Sequence, residues 1–332
     1  MPFLDKLLTS GGGSARAHHM LAARTSGLFP DDMYRGSGSD GEVLSSRVSK
    51  PSLDEENRVC GAEGCSSWLM PWKNRRRPIF EGEWGCSNRC IATMVRTAVR
   101  RELMEGGATA EMAPHRHRVP LGLVLLAQGW ITHPQLQAAL EAQRMSGEGR
   151  IGDWLVHGGL QEERVTRGLG VQWSCPVLAL DGFSPETMGL VMPKRFVAEF
   201  GMLPLRVAGS SILYLAFDDR MDASAALALE HMSGLKAESG LLSSTQMASL
   251  RAGLLEAETV PLTVDTAADG QTLAAKVAKL IEQHQPLASR LVRIHQYYWL
   301  RTWLESGAFS GVGNLPSGTE DVHDYLFTIE RV

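Results

Sequence analysis

The chain reads as an α+β protein: a four-helix tandem-repeat unit plus a small α/β unit, with a compact cysteine-bearing module before them and C-terminal helices after them. Three patterns carry that reading. One helical pattern is written twice between Pro120 and Gln172. Two apolar runs, Leu203–Val207 and Ile212–Phe217, flank Ala208-Gly209-Ser210 and read as a β-hairpin. Four cysteines stand in two close pairs, Cys60/Cys65 and Cys86/Cys90, around a segment of hairpin length.

A length of 332 residues accommodates two or three domains. The formal net charge of −4 gives no global argument for nucleic acid as a partner. No apolar run reaches the length of a membrane span, and the N-terminus lacks a basic start followed by a signal-length apolar core. The expectation is a cytoplasmic protein without membrane insertion. Five cysteines are too few for a secreted disulfide framework in a chain this long.

In chain order, residues 1–55 are rich in Gly, Ser, Asp and Arg and read as a disordered tail. Within it, Phe3, Leu4, Leu7 and Leu8 allow one short helix. Residues 56–105 form the cysteine module. Its two pairs suit a tetrahedral four-cysteine zinc site made by Cys60, Cys65, Cys86 and Cys90. Trp68, Trp72, Pro78, Ile79, Phe80 and Trp84 supply a hairpin between the pairs, and Ser87 caps a helix through Ile91, Met94, Val95 and Ala98. So short a segment has little core of its own, which favours a metal. Placing Cys90 in the first helical turn resembles treble-clef zinc fingers of the Cys-Ser-x-x-Cys type. The module is basic, with nine Lys or Arg against three Asp or Glu between Arg58 and Arg101. Lys73, Arg75, Arg76 and Arg77 cluster at the hairpin tip, and Arg96 and Arg100 share a helix face. A solvated face or a dock for an acidic partner explains this more simply than a nucleic-acid footprint, which stays open. Residues 106–118, with Gly106-Gly107, Pro114 and His115-Arg116-His117-Arg118, read as a linker.

The doubled pattern follows. Leu121-Gly122 returns as Ile151-Gly152, and Gly129 returns as Gly159. Leu136, Leu140 and Gln143 return as Val165, Leu169 and Gln172. Each copy reads as two short helices. Apolar residues at 121, 124 and 125, and again at 151, 154 and 155, mark one helical face. Gly129 and Gly158-Gly159 stop the first helix of each copy. Thr132 with Gln135 makes a capping box, and Pro134 is tolerated in the first turn.

Residues 119–257 resemble the N-terminal, MshEN-like domain of type II secretion and type IV pilus assembly ATPases. The resemblance implies binding of cyclic di-GMP and association with secretion or pilus assembly proteins. Carried over by position, the implied ligand residues are Leu121, Gly122, Leu136, Leu140 and Gln143 in the first copy. In the second they are Arg150, Ile151, Gly152, Val165, Leu169 and Gln172. An arginine fork can bond a guanine edge or a phosphate. A glycine lets backbone approach a ligand, and the leucines offer an apolar floor. The first copy departs from the pattern: Pro120 stands where the arginine belongs, with Arg118 two residues away.

Beyond the repeat, Val177–Leu180 reads as a short strand. Pro185 opens one helix and Pro193-Lys194-Arg195 another. After the 203–217 hairpin come a helix from Ala223 to Met232, a strand near 235–239 and a helix from Ser243 to Leu254. Such a small α/β half matches the same family, in which an acidic loop approaches the nucleotide; Asp219 is the nearest match. Residues 258–270 read as a linker, and Leu273–His284 and Ala288–Glu305 as helices. The second of these is aromatic, with Tyr297, Tyr298, Trp299 and Trp303, and reads as a helix packed on its own protein or as a partner-binding helix. Residues 258–332 are therefore expected to be a linker and a C-terminal helical segment.

The sequence has no G-x-x-x-x-G-K-[ST], H-E-x-x-H or G-x-S-x-G. The ATPase motor of the resembled family is missing, and no catalysis is expected.

Overall fold

The structure is a computed structural model that describes residues 59–67, 78–108, 119–218, 222–305, 308 and 315–330. All of these belong to one compact unit, Ser46–Val332. The α+β expectation holds. The element order is β1 (Ile79–Phe80), β2 (Glu83–Trp84), α1 (Asn88–Ala108), α2 (Leu121–Ala127), α3 (His133–Ser146), α4 (Ile151–His157) and α5 (Glu162–Trp173). Then come α6 (Pro185–Met188), α7 (Lys194–Phe200), β3 (Met202–Ala208), β4 (Ile212–Phe217), α8 (Ala223–Ser233), β5 (Lys236–Leu241) and α9 (Ser244–Glu256). The last elements are β6 (Leu262–Ala267), α10 (Gly270–His284), β7 (Ala288–Ile294), β8 (Tyr297–Trp303) and β9 (Val322–Ile329).

Helices α2–α5 are the duplicated hairpins. They interleave: α2 lies on α5 and α3 on α4, so each copy packs mainly on the other. Leu121, Leu125, Ile131, Ala139, Leu155, Leu160 and Val165 form their shared core. The stop signals act as expected. Gly129 and Gly159 take positive φ of 68° and 93°, where a Cβ would be strained. Trp130 N–H then bonds the Leu125 carbonyl, and Leu160 N–H bonds the Leu155 carbonyl. Thr132 and Gln135 form the capping box, with Gln135 Oε1 accepting Thr132 N–H at 2.8 Å.

A three-stranded sheet of order β3-β4-β5 follows, β3 antiparallel and β5 parallel to β4. The expected strand at Val177–Leu180 is only an isolated bridge from Val177 to Leu241. Leu178 N–H and the Pro176 carbonyl each find Leu241, and the chain turns away at Gly182.

The C-terminal segment corrects the expectation most. Residues 258–270 are not a linker throughout, because β6 lies there. Ala288–Glu305 is not a helix but the antiparallel pair β7 and β8, turning at His295-Gln296. Together with β9 these strands form a four-stranded sheet of order β6-β9-β8-β7, in which β6 runs parallel to β9. Tyr297, Tyr298, Trp299 and Trp303 are all buried, so the aromatic run is core and not a partner-binding surface. Alternate residues go to opposite cores. Tyr297, Trp299 and Trp303 join the core around the three-stranded sheet. Tyr298 and Leu300 join the core of α1, α10 and the cysteine module. Side chains of a strand alternate in direction, so one strand can serve both cores.

An ion pair is buried inside this sheet. Arg301 and Asp324 are 1% and 0% exposed in their side chains. Arg301 Nε and Nη2 donate to the two carboxylate oxygens of Asp324 at 2.7 Å each. Trp299 Nε1–H donates to Asp324 at 2.8 Å, and Arg301 Nη1 reaches the Val191 carbonyl at 3.1 Å. Such a fully bonded pair tolerates burial; either partner alone does not.

The sheet's two edges differ. The β7 edge is covered by the cysteine module. At the β6 edge, Asp265 accepts the Thr266 N–H, while Lys276 bonds both Asp265 and the Thr266 carbonyl.

Candidate functional site

Two sites come from the sequence reading. The first is the cysteine cluster. The Sγ atoms of Cys60, Cys65, Cys86 and Cys90 all lie within 4.8 Å of one another. Cys86 Sγ stands 3.6 Å from Cys65 Sγ and 3.4 Å from Cys90 Sγ. Four thiolates around zinc at about 2.3 Å would be separated by about 3.8 Å, so the donor set fits a tetrahedral metal. Local chemistry holds it in place. Cys86 N–H points at Cys60 Sγ at 3.3 Å, and Ser87 Oγ caps α1 by accepting Cys90 N–H. Hydrogen bonds from Ser67, then from Cys86, draw the Cys65 thiol down to about 6. Ser87 works in the same direction at Cys90, but burial and the neighbouring sulfurs outweigh it and push that thiol up to about 12. A cluster this close can hold a metal ion.

The basic surface of the module is partly committed. Arg101 forms a bidentate pair with Glu81, at 2.8 and 2.7 Å, and also bonds Glu102. Arg96 and Arg100 are exposed. Lys73 and Arg75–Arg77 lie outside the described residues.

The second site is the pair of motif copies. Each motif glycine faces the unit's own interior. A Cβ on Gly122 would meet Leu136 Cδ1 at 2.6 Å, and one on Gly152 would meet Val165 Cγ1 at 2.9 Å. The two glycines therefore allow close helix packing, and Leu136 and Val165 occupy the space beside them. Leu140 and Leu169 are half-buried, and Leu121 is buried beside Gly152. The two glutamines close the copies on each other. Gln143 of the first copy donates to the Gly149 carbonyl, just before Arg150, at 2.8 Å. Gln172 of the second donates to the Val119 carbonyl, just before Pro120, at 2.7 Å. The sequence reading named both glutamines and missed their acceptors. The signal available was position, since each acceptor lies one residue ahead of the motif.

Arg150 is exposed and leads into α4, with Asp153 accepting its backbone N–H at 3.2 Å. Ile151 is half-buried. Asp219 and Arg118 lie outside the described residues. Val119 and Leu123 of the first copy correspond to Gly149 and Asp153 of the second, and Val171 of the second corresponds to Ala142 of the first. Val119, Leu123 and Val171 are 56%, 51% and 52% exposed.

No protein-family model matches the chain, and no curated protein matches it. Solved structures do. A structure of MshE with cdg is 27% identical over 41% of this chain and 98% of that one, with a TM-score of 0.33. A structure of the N-terminal domain of XpsE is 20% identical over 40% of this chain and 92% of that one, with a TM-score of 0.29. Another crystal form of the same domain is 19% identical over 39% and 89%, with a TM-score of 0.24. Among the described residues, no helix is long and apolar enough to cross a membrane.

Proposed function

We propose that this chain is a non-catalytic cytoplasmic adaptor whose residues 119–257 receive a cyclic di-GMP-type dinucleotide. In this reading the cysteine cluster holds zinc. The observation that carries the receptor reading is the crossed closure of the two copies. Gln143 and Gln172 each tie to the residue ahead of the other copy's motif, so the unit has two like halves. A cyclic dinucleotide also has two like halves, and a twin surface matches it. Arg150, an exposed residue at the start of α4, carries the guanidinium type that bonds a guanine edge. The first copy offers proline in that place.

Titration calorimetry on the full chain with cyclic di-GMP tests this. Saturable heat that Arg150→Ala removes is expected. Pro120→Arg should tighten binding by roughly 5- to 150-fold, the equivalent of about 1–3 kcal/mol for one bidentate contact. No heat at high micromolar ligand overturns the receptor reading.

A second reading is favoured by the exposed Val119, Leu123 and Val171 around Pro120: a structural adaptor of a secretion or pilus machine, without a nucleotide. Recovery of purified platform or motor components in nucleotide-free pull-downs, lost with Leu123→Glu, supports it.

A further inference from the structure

The cysteine cluster does not stabilise a freestanding finger. Its hairpin and helix are one wall of the C-terminal sheet. Ile79 N–H bonds the Pro286 carbonyl at 3.0 Å, and Glu81 N–H bonds the Ser289 carbonyl at 2.8 Å. Ser289 Oγ–H returns a bond to the Ile79 carbonyl at 2.8 Å. Further along the same edge, the Glu102 carboxylate accepts Arg293 N–H at 2.9 Å. Thus β1 and α1 between them cover β7 from Pro286 to Arg293. Below the backbone ties, Phe80, Trp84 and Val95 pack in one core with Leu291, Tyr298 and Phe327. The hairpin strands are two residues each and cannot persist alone. Gly61, next to Cys60, donates its N–H to the Trp84 carbonyl, and Cys86 follows Trp84 by two residues, so the sulfur cluster fixes the hairpin at its Trp84 end.

We infer that metal in the cysteine cluster is the clamp that keeps the β7 edge closed, so that metal loss opens that edge and one face of the C-terminal sheet while the opposite face stays packed. This rests on the metal reading of the cluster. The opposite face is independent of it: Trp299, Trp303 and Leu326 pack on the three-stranded sheet, and Arg301 bonds the Val191 carbonyl. An uncovered, regular edge strand is a template for another chain, so the opened state should self-associate.

Hydrogen exchange of the full chain, with metal content measured in parallel, tests the clamp. Stripping the metal with a chelator should speed exchange at least about tenfold at Ile79, Glu81 and Arg293 and leave α2–α5 and β3–β5 unchanged. Ile79→Pro removes one tie without touching a cysteine. It should keep one metal per chain yet raise exchange along β7. Ser289→Ala should do the same more mildly and keeps the test open where the proline variant fails to fold. A chain that binds no metal when made without chelators overturns the metal reading and the clamp together. A chain that binds metal but shows no change at Arg293 on stripping overturns the clamp alone. Uniform loss of protection through α2–α5 also overturns it.

Discussion

The tandem hairpins and the C-terminal sheet solve the same problem in opposite ways. The hairpins obtain their core from a second copy of themselves, through small residues that let helices approach. The sheet obtains its core from two unlike neighbours, one on each face. A defect in the hairpins should therefore stay local, whereas a defect in the sheet should reach both of its neighbours.

The largest expected effect lies in the sheet. Asp324→Asn leaves Arg301 buried without its counter-charge and should cost roughly 3–5 kcal/mol in denaturant unfolding. Replacing the pair together, Arg301→Met with Asp324→Leu, should cost less, because no charge is then stranded and only the Trp299 Nε1–H and the Val191 carbonyl lose this partner. Equal costs would place the stabilisation in side-chain shape and not in charge pairing.

In the hairpins, Gly152→Ala should cost roughly 1–2 kcal/mol, an overpacking penalty against stiff Val165 partly offset by better helix propensity. Gly122→Ala should cost less, because the clash is with the flexible end of Leu136. Reversal of that order would show that the two halves relax differently from their static packing. Gln172→Ala removes one crossed tie and should cost about 0.5–1.5 kcal/mol, with faster exchange confined to α2–α5. Spread of that effect to β7 would erase the contrast between the two regions.

The smallest effect is pH-dependent. His295 at the β7–β8 turn pairs with Asp222, which caps α8 by accepting the Ser224 and Ala225 N–H groups. Although burial raises the Asp222 carboxyl, His295 and the cap bonds outweigh this and lower it to about 2. The Asp222 hydrogen bond raises His295 above its ordinary value. The His295 contribution is full below pH 6.5, its unfolded value, and is lost as pH rises through the raised folded value. The Asp222 contribution is present above 3.8 and is lost as pH falls through about 2. The melting temperature of His295→Gln should therefore lie below that of the parent at pH 6 and converge on it in mild alkali. A constant gap would assign His295 a packing role against Phe200, whose ring lies 4.7 Å away.

The tandem unit was legible in the sequence because each helix buries one face. That condition produces a period, and the period repeats. The cysteine cluster was legible through spacing alone. The C-terminal sheet was not. Tyr297 to Trp303 are all buried, so the run shows no polar alternation, and Leu291, Ile294, Tyr298 and Leu300 mimic a helical face. Its density of Tyr and Trp was the strand signal available. Strand β6 failed for the opposite reason. Leu262 to Thr266 are all exposed, so no inward face advertised the element. At the candidate receptor site, Arg150 and the glutamines were visible as residue types. The crossing of Gln143 and Gln172 depends on which helices pair in space, and one-dimensional spacing does not encode that.

That crossing makes the repeated unit a dimer spelled out on a single strand of peptide. Neither hairpin finishes itself; each supplies the other's last bond. Because one chain carries both halves, a change in one is not copied in its twin, and Pro120 stands opposite Arg150. A true homodimer must change both of its faces at once, whereas this arrangement can keep one side polar and let the other turn greasy.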